Sequence, residues 1–265
     1  MLAGFVGSLL GLGGGIIIVP ALTLVYGVDM RFAIGASIIT VIATSSGAAA
    51  AYVRDKITNI RVGMFLEMAT TTGALTGAFL AGMFSNRVLE AIFAAMMVYS
   101  ALMMLRRRKV ELPEGVERTP LANKLKLHGE YYDQALKRLV HYNTTGVVPG
   151  LAVMFIAGIF SGLLGIGSGL FKVLGMDVFM KLPMKVSTAT SNFMIGVTAA
   201  ASAGVYFARG DVNPAIAAPV ALGVLVGATL GTRVMTRMKN VTLRLTFVPI
   251  LIYTAIEMAV KAYRG

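Results

Sequence analysis

The chain of 265 residues contains no cysteine and no tryptophan, and only 14% of its residues are charged. Without cysteine there is no disulfide, no zinc site built from thiolates and no cysteine nucleophile. An average soluble domain has about 25% charged residues, so this chain has few charged side chains with which to cover an apolar interior. The low charge therefore argues against a soluble globular protein.

Apolar residues make up 57% of the chain and give it a mean hydropathy of +0.78. A helix needs about 20 mainly apolar residues to cross a hydrocarbon layer of roughly 30 Å. The sequence therefore predicts an all-α integral membrane protein that crosses the cell (cytoplasmic) membrane several times, with the lipid bilayer as its surroundings. We read eight apolar segments, at residues 2–26, 32–53, 62–83, 87–105, 149–176, 185–208, 214–235 and 241–262.

The net charge of +12 does not indicate a nucleic-acid partner. The basic residues stand at the ends of apolar segments, where they set the orientation of a membrane protein. Several tyrosines also lie near segment ends and are expected to form an interfacial belt. They are Tyr26, Tyr52, Tyr99, Tyr206, Tyr253 and Tyr263.

One long polar stretch, from Arg106 to about Tyr142, separates two apolar halves. It begins with the basic run Arg106-Arg107-Arg108-Lys109 and contains both histidines of the chain. The expected organisation is a first transmembrane repeat at 1–106, a cytoplasmic linker at 107–147 and a second transmembrane repeat at 148–265. Within the linker we expect a short amphipathic helix over Leu121–Leu139.

Residues 1 to about 106 recur 154 positions later, and each copy opens with a glycine cluster inside an apolar segment. The first cluster is Gly11-Leu12-Gly13-Gly14-Gly15 and the second is Gly165-Ile166-Gly167-Ser168-Gly169. Such duplication, with helices broken at matching places, is typical of secondary transporters that bind substrate between the two copies. The prediction is two repeats of four segments each.

Each glycine cluster divides its segment into two pieces of about ten residues, roughly 15 Å each. The segment then either spans the membrane as a broken helix or enters and leaves by the same face. If all eight segments span, basic residues of the loops divide six against seven; if the two broken segments are re-entrant, they divide eight against five in favour of the linker side. The second division agrees better with the positive-inside tendency, so we favour an inverted arrangement.

A helix break inside the membrane leaves N–H and C=O groups that lipid cannot satisfy. The N-terminus of the second half-helix offers free N–H groups and a partial positive charge, which together suit an anion. We therefore expect substrate-binding residues at Gly13, Gly14, Gly15, Gly167, Ser168 and Gly169. The alternative is that these glycines only permit close helix packing, as Gly7/Gly11, Gly73/Gly77 and Gly227/Gly231 are expected to do.

Hydroxyl side chains follow each break at helical spacing and are candidates to replace the hydration shell of a polar solute. Their alternative role is to hydrogen-bond the backbone or another helix. Ser37/Ser191 and Thr44/Thr198 occur in both copies, which favours a functional role for them. The candidates are Ser37, Thr40, Thr44, Thr190, Ser191, Asn192 and Thr198.

Lys172 lies three residues beyond Gly169, where the first copy has Ile18. A lysine within the membrane costs about 2.5–3.5 kcal/mol on insertion scales, so we expect it to select anions. Its alternative is to extend its ammonium to the membrane surface. Glu67 and Glu257 are the other candidates for a buried charge, and Glu67 is the candidate for taking a coupling proton.

The motifs resemble those of the sulfite exporter TauE/SafE family. The residues that carry the resemblance are 11–20 (GLGGGIIIVP) with 33–37 (AIGAS), and 162–172 (GLLGIGSGLFK) with 189–199 (ATSNFMIGVTA). The resemblance covers nearly all of the chain except the linker. It implies a multi-pass permease for small sulfur-containing anions, with site residues at Gly13 to Gly15, Ser37, Gly167 to Gly169, and Thr190 to Asn192. Two positions depart from the pattern of the first copy: Ser168 replaces a glycine, and Leu174 stands where Pro20 would be matched.

The predicted function is secondary transport of a small sulfur-containing anion, such as sulfite or a sulfonate, bound at mid-membrane between the two glycine clusters. No cofactor or metal is expected, and whether the protein forms a homo-oligomer is left open. A permease or channel for another small anion is the alternative. A membrane-embedded enzyme is disfavoured because His128 and His141 lie in the linker and no two acids share a membrane helix face. The glycine clusters are not phosphate-binding loops, since no Gly-Lys-Ser/Thr follows them.

Overall fold

The computed structural model describes residues 1–106, 116, 119–238 and 240–264. Residues 107–109 of the basic run therefore lie outside the described part. The described chain is mostly helical. Its helices are α1 (Leu2–Leu10), α2 (Gly15–Pro20), α3 (Met30–Arg54), α4 (Ile60–Ala81), α5 (Asn86–Arg106), α6 (Pro120–Lys124), α7 (Val147–Leu164), α8 (Gly169–Leu174), α9 (Met184–Ala208), α10 (Pro214–Met235) and α11 (Asn240–Arg264).

Helix boundaries in the two halves correspond at the 154-residue spacing of the sequence. The helices α2, α3, α4 and α5 begin 154 positions before α8, α9, α10 and α11. Both short helices continue directly as a π-helical turn, at Ala21–Val25 after α2 and at Gly175–Phe179 after α8. The predicted interruption of segments 2–26 and 149–176 at the glycine clusters is thus present in the backbone.

Matching polar residues start the long helices. The side chain of Asn59 accepts a hydrogen bond from the N–H of Val62 at 3.1 Å, and that of Asn213 accepts one from Ala215 at 3.0 Å. Asp29 caps α3 in the same way through the N–H of Arg31 at 2.9 Å. These side chains satisfy donors that a helix N-terminus leaves free, so each capped helix begins at a defined residue.

Each half packs its first helix against the other half. Helix α7 runs beside α4, where a Cβ built on Gly162 would lie only 1.9 Å from the carbonyl oxygen of Ala74. Helix α1 runs beside α10, where a Cβ on Gly227 would lie 2.0 Å from the carbonyl oxygen of Met1. The expected packing role of Gly73/Gly77 and Gly227/Gly231 is confirmed, since all four meet the backbone or a side chain of the neighbouring helix.

Three helices of the described residues are long and apolar enough to cross a membrane: α3, α7 and α10. Large apolar side chains also remain exposed on the outside of the bundle, among them Phe79 of α4 at 68% and Leu222 of α10 at 69%. Buried apolar side chains of α1, α2, α3, α5, α7 and α9 form the main core. The bundle is therefore apolar both inside and outside, as a lipid environment requires.

The linker contains a β-hairpin, and the predicted helix over Leu121–Leu139 is wrong. Helix α6 ends at Lys124, and strands β1 (Gly129–Asp133) and β2 (Arg138–Tyr142) pair antiparallel. In β1 the buried residues Tyr131 and Asp133 alternate with exposed Tyr132, which is the two-residue period of a strand. Aromatic residues favour this arrangement over a helix.

The hairpin is fixed to the ends of three long helices. Lys185, at the start of α9, places its Nζ 2.7 Å from Oδ1 of Asp133 and 3.4 Å from the carbonyl oxygen of Thr236, just after α10. Asn59, before α4, donates through Nδ2 to the hydroxyl of Tyr142 at 3.0 Å. We call this end of the bundle the linker side. It brings together the start of α4, the start of α9 and the end of α10.

The opposite end gathers the other helix ends. Asn86, at the start of α5, donates through Nδ2 to Oδ2 of Asp29, before α3, at 2.7 Å. Arg209, after α9, donates through Nη1 to the carbonyl oxygen of Ala78 near the end of α4 at 2.5 Å. Helix α3 therefore starts at the end of the bundle where α9 finishes.

The second broken segment returns to the place where it began. The N–H of Thr145, just before α7, donates to the carbonyl oxygen of Met180, just after the π-helical turn, at 3.2 Å. A Cβ on Gly146 would lie 2.2 Å from the carbonyl oxygen of Phe179. The two ends of this segment are in direct contact, so it forms a hairpin of helices.

Candidate functional site

The first break, residues 11–14, and the second break, residues 165–168, have the same backbone conformation. Most of their residues have positive φ, a region where residues other than glycine are strained. Ser168 is the one residue among these that is not glycine, and its backbone still adopts this unfavourable conformation. The angles are 75°, 73° and 81° at Gly11, Gly13 and Gly14, and 64°, 72° and 49° at Gly165, Gly167 and Ser168.

The two breaks lie directly against each other and run in opposite directions. A Cβ built on Gly15 would lie 2.8 Å from the Cα of Ile166, and one built on Gly169 would lie 2.1 Å from the carbonyl oxygen of Gly11. Glycine at these two positions is therefore explained by the approach of the other break. All residues of both breaks are buried.

Hydroxyl groups from the opposite half occupy the carbonyl ends of α1 and α7. Ser37 donates to the carbonyl oxygen of Gly165 at 2.8 Å. Ser191 donates to that of Gly11 at 2.8 Å and also lies 3.2 Å from that of Gly169. These bonds satisfy carbonyls that a helix C-terminus leaves free, so both serines connect the two halves in this structure.

The other predicted hydroxyls have individual partners. Thr40 and Thr44 donate to backbone carbonyls of their own helix at 2.8 Å. Thr190 accepts from the N–H of Asn59 at 3.0 Å. Asn192 donates to the carbonyl oxygens of Ser8 at 2.9 Å and Thr188 at 3.2 Å. Thr40, Thr44 and Thr190 therefore bond the protein itself, as their alternative role anticipates, whereas Oδ1 of Asn192 is buried without a partner.

The amide ends of α2 and α8 are different, because no side chain caps them. The first N–H groups of a helix have no partner within it, and neither Gly14 nor Ser168, the residues before α2 and α8, makes a side-chain cap hydrogen bond. The Ser168 hydroxyl is also without a partner, although the residue is only 1% exposed. The buried crossing of the breaks thus combines a free hydroxyl with two uncapped helix N-termini.

Lys172 and Glu67 meet in the interior, so Lys172 does not extend to the membrane surface. Its side chain is fully buried, with Nζ hydrogen-bonded to Oγ1 of Thr198 and 3.8 Å from Oε2 of Glu67. Oε1 of Glu67 accepts hydrogen bonds from Thr198 at 2.5 Å and Thr71 at 2.9 Å. We call these four residues the Lys172 cluster. It joins α4, α8 and α9 one turn along α8 from the second break.

Residues 1–258 match the family described as Sulfite exporter TauE/SafE. The chain belongs to the TauE/SafE family. The resemblance carried by the glycine motifs is confirmed. As a member of this family, the chain is a membrane transporter.

Relatives of known sequence have names that agree with this assignment. The chain is 28% identical over 254 residues to Probable membrane transporter protein YunE of Bacillus subtilis (strain 168), covering 92% of the chain and 88% of that protein. It is 25% identical over 244 residues to Probable membrane transporter protein YdhB of the same organism, covering 92% of the chain and 90% of that protein. A third relative, Probable membrane transporter protein ORF9 of Sinorhizobium sp, is 26% identical over 232 residues, covering 88% of the chain and 78% of that protein. No solved structure matches the chain.

Sequence reasoning missed the role of two tyrosines, which donate hydrogen bonds to backbone carbonyls shortly before each break. The expectation that Tyr52 and Tyr206 belong to an interfacial belt is wrong, because both are buried. The hydroxyl of Tyr52 donates to the carbonyl oxygen of Ser8 at 2.9 Å, and that of Tyr206 to Gly162 at 2.6 Å. Their recurrence at the 154-residue spacing is the signal that could have found them. Tyr26, Tyr253 and Tyr263 are exposed.

Two cavities of this TauE/SafE protein lie away from the breaks. One of about 540 Å³ has an apolar lining that includes Tyr99, Phe160 and Phe171. Another of about 500 Å³ has a charged lining of Arg87, Glu90, Glu257 and Lys261, together with apolar residues and Asn86. Glu257 thus lies with other charges and apart from Glu67. Neither lining includes a residue of the breaks.

Proposed function

We propose that the chain is a secondary transporter of a small sulfur-containing anion, such as sulfite or a sulfonate, bound where the two breaks cross. The observation that carries the proposal is the buried Ser168 hydroxyl, which has no partner and lies at the uncapped N-terminus of α8, where the first N–H groups lack a partner within the helix. A buried donor without an acceptor costs about 1–3 kcal/mol. An oxyanion has several acceptor oxygens and would satisfy these donors together.

The local electrostatics also favour an anion. The helical segments Gly15–Val25 and Gly169–Phe179 both point their N-termini, which have a partial positive charge, at the crossing. Lys172 adds a full positive charge one turn further along α8, where its N–H bonds the carbonyl oxygen of Ser168 at 3.0 Å. An anion between the breaks would therefore be stabilised from both halves and discriminated from a cation.

The proposal includes inverted insertion of the two halves, with segments 2–26 and 149–176 re-entrant. Contact between Thr145 and Met180 at the two ends of the second segment supports this. So does the ion pair of Lys185 with Asp133, because it puts the start of α9 on the linker side. The start of α3 lies at the opposite end, beside Asn86. Corresponding helices that start at opposite ends are what inverted repeats require.

Burial of both breaks supports a carrier rather than an open channel. The residues of the crossing are closed to solvent in this structure. A carrier binds its substrate in such a closed state and opens to one side at a time. A channel for small anions remains the competing function, and another oxyanion or carboxylate is the competing substrate.

Flux measurements with purified protein in liposomes test the proposal. The panel is sulfite, methanesulfonate, thiosulfate, acetate, glycerol and choline, each with and without a pH gradient. We expect saturable uptake of a sulfur oxyanion and counter-transport of labelled against unlabelled substrate. Transport of glycerol or choline alone would overturn the anion site, and single-channel currents would overturn the carrier.

Ser168→Gly isolates the role of the hydroxyl. The variant has the residue that Gly14 provides in the first break, so it removes the donor and relieves the positive-φ strain at once. A hydrogen bond to a charged group contributes about 1.5–3 kcal/mol, so the apparent affinity for the anion should fall about tenfold or more while the protein stays folded. Unchanged affinity in Ser168→Gly would show that the anion does not bind there.

A further inference from the structure

The carboxylate of Glu67 is held on one side only. Its Oε1 accepts two hydroxyl hydrogen bonds, whereas Oε2 is buried without any hydrogen bond and lies 3.8 Å from Nζ of Lys172. That separation is an ion pair but too long for a hydrogen bond. Oε2 is therefore an unsatisfied oxygen that faces the ammonium group.

Few other charges act on this pair. Helix α7, which packs against α4, has no titratable side chain along Val147–Leu164. Lys185 of α9 is engaged by Asp133 on the linker side, and Arg209 lies beyond the other end of α9 with Asp211. Asp177, in the π-helical turn after α8, is another buried acid and belongs to the second half. Among the described residues, Lys172 is the ionised group that faces Glu67.

The pair occurs once in the duplicated fold. The position equivalent to Lys172 in the first half is Ile18, and the position equivalent to Glu67 in the second half is Ala221. The cluster is electrically neutral when both side chains are ionised. An anion that binds to Lys172 in addition would leave one uncompensated negative charge in the membrane interior, which is costly.

Resting on the anion transport proposed above, we propose that Glu67 and the transported anion alternate as the counter-ion of Lys172, so that each monoanion moves together with one proton. The proton binds Oε2 and converts the carboxylate into a neutral carboxylic acid. Lys172 keeps its own protons and transfers its ion pair from Glu67 to the anion. The cluster stays neutral before and after, and release of the anion returns the proton to water.

Proton coupling of this kind has a defined pH dependence. Because the anion binds only together with one proton, its apparent affinity should rise as the pH falls, by up to about tenfold for each pH unit. Methanesulfonate is a suitable probe because it stays a monoanion across the usable pH range, so any pH dependence comes from the protein. Sulfite itself titrates near neutrality and would confuse the result.

The experiment measures methanesulfonate uptake and proton uptake together in proteoliposomes that contain a trapped pH indicator. We expect one proton per methanesulfonate and no effect of a potassium diffusion potential, because the complex that moves has no net charge. Methanesulfonate uptake without protons, or uptake driven by the membrane potential in the wild type, would overturn the proposal.

Glu67→Gln should separate the anion from the proton. Lys172 then lacks its carboxylate, so methanesulfonate should bind with an affinity that no longer depends on pH, and any remaining flux should respond to the membrane potential. Asp177→Asn and Glu257→Gln should keep one proton per anion, as controls for other acids. Proton coupling retained in Glu67→Gln, or lost in either control, would contradict the assignment.

A binding measurement covers the case in which Glu67→Gln does not transport. Methanesulfonate should raise the melting temperature of detergent-solubilised Glu67→Gln at alkaline pH, where it has no effect on the wild type. The double variant Glu67→Gln/Lys172→Met, which has neither charge, should show no such rise. Absence of the rise in Glu67→Gln would overturn the exchange of counter-ions.

The two proposals fail in different ways. If the wild type moves no anion of the panel, anion transport fails and the coupling falls with it. If the wild type transports methanesulfonate but Glu67→Gln takes up methanesulfonate and protons as the wild type does at every pH, only the coupling fails.

Discussion

The two breaks share a backbone and differ in chemistry. Both have the same succession of left-handed residues and the same serine donors to their carbonyl ends. Around that backbone, Gly14 and Ile18 of the first half correspond to Ser168 and Lys172 of the second. The first break is therefore apolar on its amide side, whereas the second has a free hydroxyl and a charge.

This difference separates what the fold requires from what the substrate requires. The crossing needs glycines in both halves, and serine hydroxyls that donate to the carbonyl ends, because each break packs on the other. In the proposed site the polar groups need to occur only once, because both breaks would bind the same anion. Substitutions compared with their counterparts, or with matched positions elsewhere in the chain, test this division.

The largest effect is expected for Gly169→Ala, which puts a methyl group 2.1 Å from the carbonyl oxygen of Gly11. Overpacking costs about 1–3 kcal/mol in ordinary cores and more against backbone, so the folded transporter should be largely lost. Gly15→Ala, with its nearest contact at 2.8 Å, should lose less. Thermal unfolding of the detergent-solubilised protein measures both.

Gly204→Ala is the control for that pair. Gly204 lies inside α9, and a methyl group added to its Cα would have nothing within 4 Å. Alanine there should be tolerated or add up to about 1 kcal/mol through helix propensity. If Gly169→Ala unfolds at the same temperature as Gly204→Ala, the close crossing of the breaks is wrong.

Asp133→Asn should destabilise the protein by about 3–5 kcal/mol, because it leaves the buried Lys185 without its counter-ion. The counterpart of Lys185 in the first half is Arg31, which is exposed and donates through its guanidinium to the carbonyl oxygen of Phe84 at 3.5 Å. Arg31→Met should therefore change stability by about 0.5 kcal/mol or less. Urea or thermal unfolding at neutral pH compares the two.

The same ion pair gives stability a pH dependence. Burial raises the pKa of Asp133, but hydrogen bonds from Lys185 and the N–H of Leu136 and the charge of Lys185 outweigh it, so the pKa is lowered. A carboxyl group with a lowered pKa contributes its full stabilisation to the folded state when the pH is above the ordinary value of 3.8. That contribution is lost as the pH falls through the lowered pKa. Wild type should therefore lose stability on acidification below pH 3.8, and Asp133→Asn should lose less. Parallel acid curves would contradict this.

Ser191→Ala should cost more than Ser37→Ala. The Ser191 hydroxyl lies within hydrogen-bond distance of two carbonyl oxygens, those of Gly11 and Gly169, whereas among the described residues Ser37 donates to one, that of Gly165. An unsatisfied buried acceptor costs about 1–3 kcal/mol, although hydrogen bonds in membrane bundles average nearer 0.6 kcal/mol. We expect about 2 kcal/mol for Ser191→Ala and about 1 kcal/mol for Ser37→Ala. The reverse order in unfolding experiments would show that the second acceptor is unimportant.

The smallest difference is expected between the buried tyrosines. Tyr206→Phe leaves the carbonyl oxygen of Gly162 without its donor, whereas Tyr52→Phe leaves that of Ser8 still bonded by Asn192. We expect a loss of about 1 kcal/mol for Tyr206→Phe and a few tenths for Tyr52→Phe. Equal losses would show that Asn192 does not share the role, and Tyr99→Phe, on an exposed residue, is the control.

Helix positions and the two breaks could be predicted from the sequence, because apolar length and glycine clusters act locally. The starts at Met30, Pro214 and Asn240 lie within two residues of the predicted segments. The linker could not be predicted in the same way. Alternating Tyr131 and Asp133 form a strand whose burial depends on Lys185, which is 52 residues from Asp133.

The candidate site is only partly accessible from sequence. Glycine and hydroxyl positions can be identified, but a sequence does not show which partner a hydroxyl chooses, and Ser37 and Ser191 bond carbonyls of the opposite half. Lys172 and Glu67 both stand out in the sequence as isolated charges, 105 positions apart. Their pairing depends on the packing of α4 against α7 and α9, which no local pattern encodes.

The exchange of partners between halves has a consequence for biosynthesis. Helix α4 completes its surface against α7, and α1 against α10, so the glycine faces of the early helices have no partner until the late ones are made. The first half must therefore enter the bilayer before the helices that cover its glycine faces have been synthesised. Co-expression of the two halves as separate polypeptides should restore the folded protein that neither half forms alone.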